Sequence, residues 1–163
     1  MKKLLTLGFA LASVMASAQA FNGKGDQKFQ VGANIQDRGT GIMATYDYGI
    51  GENMSIGVQS NYILGTHRFY DGADFYEKFD LKARFNANIG SVMKLPTELD
   101  IYPGLDLGLH NFGGHVGARY FFSDGFGLFT EVGFAIASYD NHLVGPEHLN
   151  NQFQWNIGVS FNL

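Results

Sequence analysis

Charged side chains recur at every second position inside apolar segments, which is the spacing expected of a buried ion-pair network. Lys82 and Arg84, for example, alternate with Leu81, Ala83 and Phe85. Successive side chains point to opposite faces of a β-strand, so the charged residues share one face. Charges removed from water need partners of opposite sign. We predict an interior charge network of Asp47, Asp80, Lys82, Arg84, Asp100, Asp106, Arg119 and Glu131.

Such a network permits two functions. It satisfies and rigidifies the inside of a plugged structure, or it gates a narrow path for ions. Glycines recur on the same face, and we expect them to make room for the long basic side chains. The pairing that we expect joins Lys82, Arg84 and Arg119 to Glu131, Asp106, Asp80 and Asp100.

Two histidines form a second candidate site. His110 and His115 flank a short loop, and across an antiparallel hairpin their imidazoles could approach metal-binding range. A zinc site takes three or four protein ligands, and the chain has no cysteine. We therefore expect both histidines to be polar residues at the mouth of the fold, with no metal and no other cofactor.

A third set has the residue types of a serine hydrolase. The segment near the end of the chain holds a hydroxyl, two imidazoles and two carboxylates, which are the components of a Ser–His–acid triad. Residue types without geometry do not define an active site. We predict no catalytic residues and no enzyme activity, and we keep as the alternative a triad drawn from Ser138, Asp140, His142, Glu147 and His148.

Eight segments could position these side chains, because each alternates apolar and polar residues with the period of a half-buried β-strand. Tight turns and more variable loops connect them. Pro103 falls inside the fifth segment and cannot donate a hydrogen bond to a ladder, so we expect a β-bulge there. The segments span residues 29–36, 42–48, 54–64, 79–89, 99–110, 115–122, 128–136 and 153–163.

The first twenty residues have the pattern of an export signal. Lys2 and Lys3 precede an apolar stretch that ends at Val14, and Ala18 and Ala20 are the small residues of a cleavage site. We predict a signal peptide over residues 1–20 and a single domain over residues 21–163. No later segment approaches the roughly 20 apolar residues that a spanning helix needs.

Charge and composition exclude several classes of partner and chemistry. Without Lys2 and Lys3 the chain has nine basic against fifteen acidic side chains, a formal charge of −6. This acidic balance argues against a nucleic-acid partner. The absence of cysteine excludes disulfides, thiolate chemistry and a lipid-modified cysteine.

The apolar face of each strand has features that favour contact with lipid. By our assignment the apolar rows hold no charged residue, and aromatic residues gather at two heights around a belt of Val, Ala, Ile and Leu. Alternatively, the polar row is an ordinary solvated face, or the apolar rows face inward around a ligand, as in a secreted lipocalin-like barrel. If both termini are periplasmic, the girdles are Phe29, Tyr46, Tyr48, Tyr120, Phe122 and Phe161 at the periplasmic rim and Tyr62, Phe79, Phe153 and Trp155 at the outer rim.

The pattern resembles the small outer-membrane barrels of the OmpA and OmpX type and the related barrel domains of Bacteroidota. The similarity rests on the export signal, the turn at residues 48–53, the inward Glu131 within residues 127–133 and the alternating last strand. Such barrels usually end in an aromatic residue, whereas this chain ends at Leu163 with Phe161 two positions before it.

The resemblance implies a closed antiparallel up-and-down eight-stranded transmembrane β-barrel over residues 21–163, in the outer membrane of a Gram-negative bacterium. It implies a monomer that contacts outer-membrane lipid and, during biogenesis, the barrel-assembly machinery. We expect a structural or surface-contact function through the loops at residues 65–78 and 139–151. The alternatives are a narrow passive channel for small or apolar solutes, similar to the OmpW type, and a lipid A-modifying enzyme.

Overall fold

The structure, a computed structural model, describes residues 18–66, 72–139 and 148–163. Its eight strands close into one barrel in chain order, each antiparallel to its neighbours, and β1 pairs with β8. The predicted up-and-down eight-stranded barrel is therefore confirmed. Its elements are β1 (Gln27–Gln36), β2 (Gly39–Gly49), β3 (Met54–Thr66), α1 (Phe75–Lys78), β4 (Phe79–Ala87), β5 (Leu99–Gly108), β6 (Asn111–Ser123), β7 (Phe126–Ser138) and β8 (Gln154–Asn162).

The two ends of the barrel differ in their connections. One end, here the terminus end, holds the start of β1, the end of β8 and the connections β2–β3, β4–β5 and β6–β7. The opposite end, here the loop end, holds α1 and the other connections. None of the helices in the described part of the chain has the length and apolar character needed to span a bilayer.

The orientation of the strands decides between the two barrel hypotheses. Val58, Leu105 and Ile157 lie on the outer surface with 51%, 48% and 46% of their area exposed. The polar residues that alternate with them, such as Gln59 and Asp106, are buried. The lipocalin-like arrangement, with apolar rows inside, is therefore wrong, and so is the hypothesis of a solvated polar face.

The predicted bulge at Pro103 is also wrong. Pro103 lies opposite Val116 in an uninterrupted β5–β6 register. The pairing of β5 with β4 stops next to it, at Gly104 opposite Asn86. Proline is tolerated where a ladder ends, because no hydrogen bond of that ladder is lost. The register shifts instead between Thr40 and Gly41, between Phe112 and Gly113 and between Phe121 and Ser123.

Aromatic rings form contacts at both rims of the outer surface. At the terminus end, Phe161 lies 6.5 Å from Phe29 and 5.8 Å from Phe126, measured between ring centroids. At the loop end, Phe75 lies 5.7 Å from Tyr62 and 5.4 Å from Phe79. The predicted girdle residues at these contacts thus gain two neighbours that the strand pattern omitted, Phe75 and Phe126.

Candidate functional site

The barrel interior contains all eight residues of the predicted interior charge network. They come from β2, β4, β5, β6 and β7, and none has more than 6% of its area exposed. Strand alternation explains this placement, since each lies on the face opposite the apolar row. The interior is therefore a polar, charged core, and its pairings show how the charges are balanced.

Arg84 is the centre of the network. Its Nη2 donates to Glu131 Oε2 at 2.6 Å, and its Nη1 donates to Gln59 Oε1 at 2.9 Å. Its Nε lies 3.2 Å from Asn86 Oδ1 and 3.4 Å from Asp47 Oδ1. Because Glu131 is on β7 and Arg84 is on β4, this ion pair crosses the barrel and links strands that are not neighbours.

Arg119 forms a second group nearer the terminus end. Its Nη2 donates to Asp100 Oδ2 at 2.9 Å and to Asn88 Oδ1 at 2.6 Å, and its guanidinium lies 4.6 Å from the ring centroid of Tyr102. Asp47 Oδ2 is 4.0 Å from Arg119 Nη1. Asp47 therefore lies between the two arginines and joins the two groups electrostatically.

The partner of Asp106 differs from the prediction. His115 Nδ1 lies 2.9 Å from Asp106, and its Nε2 lies 2.8 Å from Asn86 Oδ1 and 3.0 Å from Arg84 Nη2. His115 is buried deep in the barrel, so the expectation that it lies at the mouth is wrong. Its position on the inward row of β6 was the signal for this burial.

The fourth pair follows β4 itself. Lys82 Nζ lies 3.6 Å from Asp80 Oδ2, and Asp80 Oδ1 accepts a hydrogen bond from the backbone of Leu109 at 3.1 Å. Both side chains are on the inward face of the strand, two residues apart. Of the predicted basic residues, each therefore has a carboxylate partner, and Asp106 is paired with the imidazole of His115.

The two histidines of the metal hypothesis have separate partners. His110 lies at the loop end, where its Nε2 is 2.9 Å from the carbonyl oxygen of Phe79 and its ring contacts Tyr76. His115 belongs to the interior charge network. In the described ranges no group of three or more His, Cys, Asp or Glu side chains could hold a metal ion.

Of the five residues in the hydrolase hypothesis, the structure describes only Ser138 and His148. Ser138 Oγ accepts a hydrogen bond from Asn151 Nδ2, and His148 is half-buried. Asp140, His142 and Glu147 lie outside the described residues. In the described part of the chain, the ring nitrogens of His115 contact a carboxylate, an amide oxygen and a guanidinium rather than a hydroxyl.

Inward-facing glycines make room for more than the basic side chains that we expected. Gly108 does accommodate a lysine, because a Cβ atom there would lie 3.1 Å from Lys82 Cγ. A Cβ atom at Gly117 would overlap the ring of Tyr102, and one at Gly104 would overlap the ring of His115. The two glycines thus accommodate an aromatic ring and an imidazole rather than lysine or arginine. Side chains in a closed eight-stranded barrel just fill the interior, which explains why a single methyl group matters.

The terminus end is filled by residues that the strand pattern missed. Lys28 Nζ forms an ion pair with Asp26, and the Lys28 ammonium lies 5.5 Å from the ring centroid of Phe121. Phe121 and Phe129 are buried on the inward face, and the ring of Phe21 lies 5.9 Å from the Arg119 guanidinium. These five residues, Phe21, Asp26, Lys28, Phe121 and Phe129, are called the terminus-end plug below.

The loop end is filled by amide side chains and one returning segment. Asn150 donates through its backbone to Gln36 Oε1 at 2.8 Å, and its carbonyl oxygen accepts from Asn111 at 2.8 Å and from Gln154 at 3.1 Å. Its Nδ2 donates to the backbone of Glu77 at 3.0 Å. Alternation places several of these amides inside, but nothing in the sequence indicated that Asn150 joins them.

A small apolar cluster covers this amide layer. Leu149 packs with Ile63 and Ala73, and all three are buried. Asn150 has a φ of 63°, a left-handed conformation that asparagine tolerates better than most residues. Asn150 and Leu149 are called the loop-end cap below. The barrel thus has a charged middle with filled layers at both ends.

Comparison with known proteins gives the chain a family. A family model matches residues 11–163, almost the whole chain. The chain belongs to the family of unknown function DUF6646. No curated protein sequence matches it.

A solved structure that is similar to this DUF6646 member shares its barrel fold. It comes from work described as "De novo design of transmembrane beta-barrels". The TM-score is 0.53 at 12% sequence identity, and the match covers 87% of this chain and 98% of that chain. At this identity the similarity concerns the barrel fold alone.

Proposed function

We propose that this protein is an outer-membrane β-barrel of a Gram-negative bacterium with a structural or surface-contact function, exported by its N-terminal signal. The observation that carries the proposal is the reversed polarity of the fold, with Val58, Leu105 and Ile157 outside and the interior charge network inside. A lysine or arginine facing lipid at the midplane of a barrel's apolar band costs about 2–4 kcal/mol. The apolar outer surface avoids that cost in a bilayer, whereas in water the same apolar side chains would be exposed to solvent.

The rims support the same proposal. The aromatic contacts at the two ends correspond to the girdles of aromatic residues that flank the apolar band of transmembrane barrels. The one tryptophan of the chain, Trp155, faces outward and donates from Nε1 to Thr130 Oγ1 at 2.8 Å. Thr130 in turn lies 3.3 Å from the carbonyl oxygen of Asn156. These polar groups on the outer surface are thus mutually hydrogen-bonded, as a lipid environment requires.

The filled interior favours a structural function over transport. The terminus-end plug, the interior charge network and the loop-end cap lie along the axis of the barrel. The five plug residues lie in the domain that follows the predicted signal peptide, and Phe121 also packs against Ala18 and Ala20 of that signal peptide. A narrow passive channel remains the second candidate, because most of the buried side chains inside the barrel are polar or charged. We propose no enzyme activity.

The loop end offers the contact surface. α1 presents Phe75 and Tyr76 with 66% and 61% of their area exposed. A capping box fixes the start of this helix, with the backbone of Asp74 donating to Glu77 Oε2 at 2.7 Å. Exposed aromatic residues on a rigid element are typical of binding surfaces. The remainder of the loop, residues 67–71, lies outside the described residues.

Tryptophan fluorescence tests the membrane part of the proposal. Trp155 is the chain's only tryptophan, so the purified barrel needs no substitution as a reporter. In vesicles containing brominated phospholipid we expect strong quenching of its emission and protection from aqueous iodide. Emission that iodide quenches and brominated lipid leaves unchanged would contradict the proposal. Slower gel mobility after boiling is the expected companion result.

Labelling of intact cells tests the surface part. The chain has no cysteine, so Tyr76→Cys and Asp124→Cys each introduce a single thiol. Asp124 lies in the β6–β7 connection at the terminus end and is the matched control. A membrane-impermeant maleimide should label Tyr76→Cys on intact cells and Asp124→Cys only after lysis. The reverse pattern would place α1 on the periplasmic side.

A further inference from the structure

The connection between β4 and β5 is a compact turn at the terminus end. Its backbone bonds run from Met93 to Ile89 at 2.9 Å, from Lys94 to Ser91 at 3.1 Å and from Leu95 to Gly90 at 3.0 Å. Each joins a donor N–H to a carbonyl oxygen three to five residues earlier. The turn is therefore an ordered element with its own internal hydrogen bonds.

A side-chain bond fixes this turn to its neighbour. Ser91 Oγ donates to Asn53 Oδ1 at 2.7 Å, and the backbone of Asn88 donates to Asn53 O at 2.9 Å. Asn53 belongs to the β2–β3 connection at the same end of the barrel. The two connections form one unit whose position relative to the strands is set.

The tip of the unit exposes apolar side chains. Val92 and Met93 have 63% and 53% of their area exposed, and Lys94 beside them is also exposed. Ile50 on the neighbouring connection and Met54 at the start of β3 are exposed as well. The β6–β7 connection at the same end is polar, with Asp124 and Gly125 at its centre. Among the three connections at the terminus end, those between β4 and β5 and between β2 and β3 thus expose large apolar side chains, and the β6–β7 connection does not.

We propose that Val92 and Met93 insert into the phospholipid of the periplasmic leaflet and anchor this side of the barrel. The proposal rests on the membrane insertion proposed above. The exposed surface continues the apolar belt, since Met54 begins the row that Ile56 and Val58 extend along β3. Lys94 can keep its ammonium at the level of the phosphates while its carbon stem lies along the apolar surface.

The rigidity of the turn strengthens the argument. A flexible loop would lose conformational freedom when its side chains enter a bilayer, whereas a preformed turn loses little. Burial of exposed apolar area is favourable in proportion to the area removed from water. The anchor would fix the depth of the barrel in the bilayer on the β4–β5 side. The turn can do so because it extends beyond the ends of the strands.

Site-specific quenching tests this anchor. Single cysteines at Val92→Cys, Asp124→Cys and Leu107→Cys carry an environment-sensitive nitrobenzoxadiazole probe, with the full barrel in phosphatidylcholine and phosphatidylglycerol vesicles. Asp124 is the control in a polar connection at the same end, and Leu107 is the reference on the apolar belt. Lipid spin-labelled near the headgroup end of its acyl chain should quench the probe at 92 several-fold more than the probe at 124, and iodide should do the opposite.

The three positions separate the possible failures. If the probe at 107 is quenched by spin-labelled lipid and the probe at 92 behaves like that at 124, the anchor is wrong and membrane insertion stands. If the probe at 107 also escapes lipid quenching, membrane insertion itself fails and the anchor fails with it. Met93→Cys provides a second position, so that failure of Val92→Cys to fold leaves the test intact.

Discussion

Arg84 illustrates how single residues determine the stability of the interior. Its guanidinium is buried and contacts Glu131, Asp47, Gln59 and Asn86. A buried ion pair adds little net stability over an apolar pair of the same shape, but loss of one partner leaves an uncompensated charge. The arginine is therefore costly to remove singly, whatever the net contribution of the pair.

Substitution of one partner should reveal this cost. Arg84→Gln is expected to lower the free energy of unfolding by about 3–5 kcal/mol, measured by urea titration of the barrel in lipid vesicles. Arg38→Gln is the matched control, because the ion pair of Arg38 with Asp37 is at the surface. Its effect should stay within about 0.5 kcal/mol. Equal effects at the two positions would contradict the buried network.

The pairing itself can be measured by adding the second substitution. Arg84→Gln with Glu131→Gln removes both charges of the pair, so the double variant should lose less stability than the sum of the single variants. Coupling of about 0.5–3 kcal/mol is typical of residues in contact. Additive losses would show that Arg84 and Glu131 do not interact across the barrel.

Gly117 gives a second prediction for a single residue. Alanine there would overlap Tyr102, so Gly117→Ala should cost about 1–3 kcal/mol of unfolding free energy by overpacking. Gly133→Ala is the control, because the nearest heavy atom to a Cβ at that inward position is 3.9 Å away. The same urea titration compares them. A loss at position 133 as large as at 117 would argue against a specific clash.

The sequence largely predicted which side chains face the interior of the barrel, but not which of them form ion pairs with each other. Two-residue alternation placed Arg84 and Glu131 on the inward face, since a strand has only two faces. Their contact across the barrel depends on the register of every intervening ladder, which the composition of one strand does not encode. His115 was assigned to the mouth because the predicted sixth strand began at residue 115, whereas β6 begins at Asn111, and its parity within β6 indicated the interior.

At the scale of elements, the segment that returns from the last loop has a defined function in closing the barrel. Asn150 connects β1, β6, β8 and α1 through its backbone and side chain. Its left-handed backbone adds a conformational requirement to these bonds. The cap therefore depends both on the amide group and on the φ of one residue.

Two substitutions separate these requirements. Asn150→Gly keeps the left-handed backbone and loses the side-chain bonds, whereas Asn150→Ala loses the bonds and adds a left-handed cost of about 1–2 kcal/mol. We expect alanine to be the more destabilising, with faster hydrogen exchange of the amides at the loop end in both variants. Glycine as damaging as alanine would show that the side-chain bonds alone matter.

The sequence predicted some secondary-structure elements correctly and others not, and each outcome has a physical reason. Strands with strict alternation, such as β4, were recognisable because their period is two. The bulge expected at Pro103 was wrong because a proline is harmless where a ladder ends, and ladder ends depend on the neighbouring strand. The turn at residues 89–95 was missed because its order comes from hydrogen bonds to its own backbone and to Asn53, which no periodicity reports.

At the scale of the whole molecule, we expect the barrel to conduct no ions across a bilayer. With both ends and the middle filled, the wild-type barrel should show near-zero conductance in planar bilayers. Arg119→Ala and Glu131→Ala should also remain closed, because the terminus-end plug and the loop-end cap stay in place. Discrete ion conductance in the wild type, altered by either substitution, would instead support the narrow gated channel.

The ladder between the first and last strands runs from Lys28 opposite Asn162 to Gln36 opposite Gln154. These partners are far apart in the chain, so the barrel cannot close until β8 has been synthesised. A nascent or truncated chain without β8 would leave the edges of β1 and β7 unpaired. Unpaired strand edges next to an apolar surface are prone to aggregation. Pairing of β1 with β8 therefore protects the chain against aggregation as well as closing the barrel.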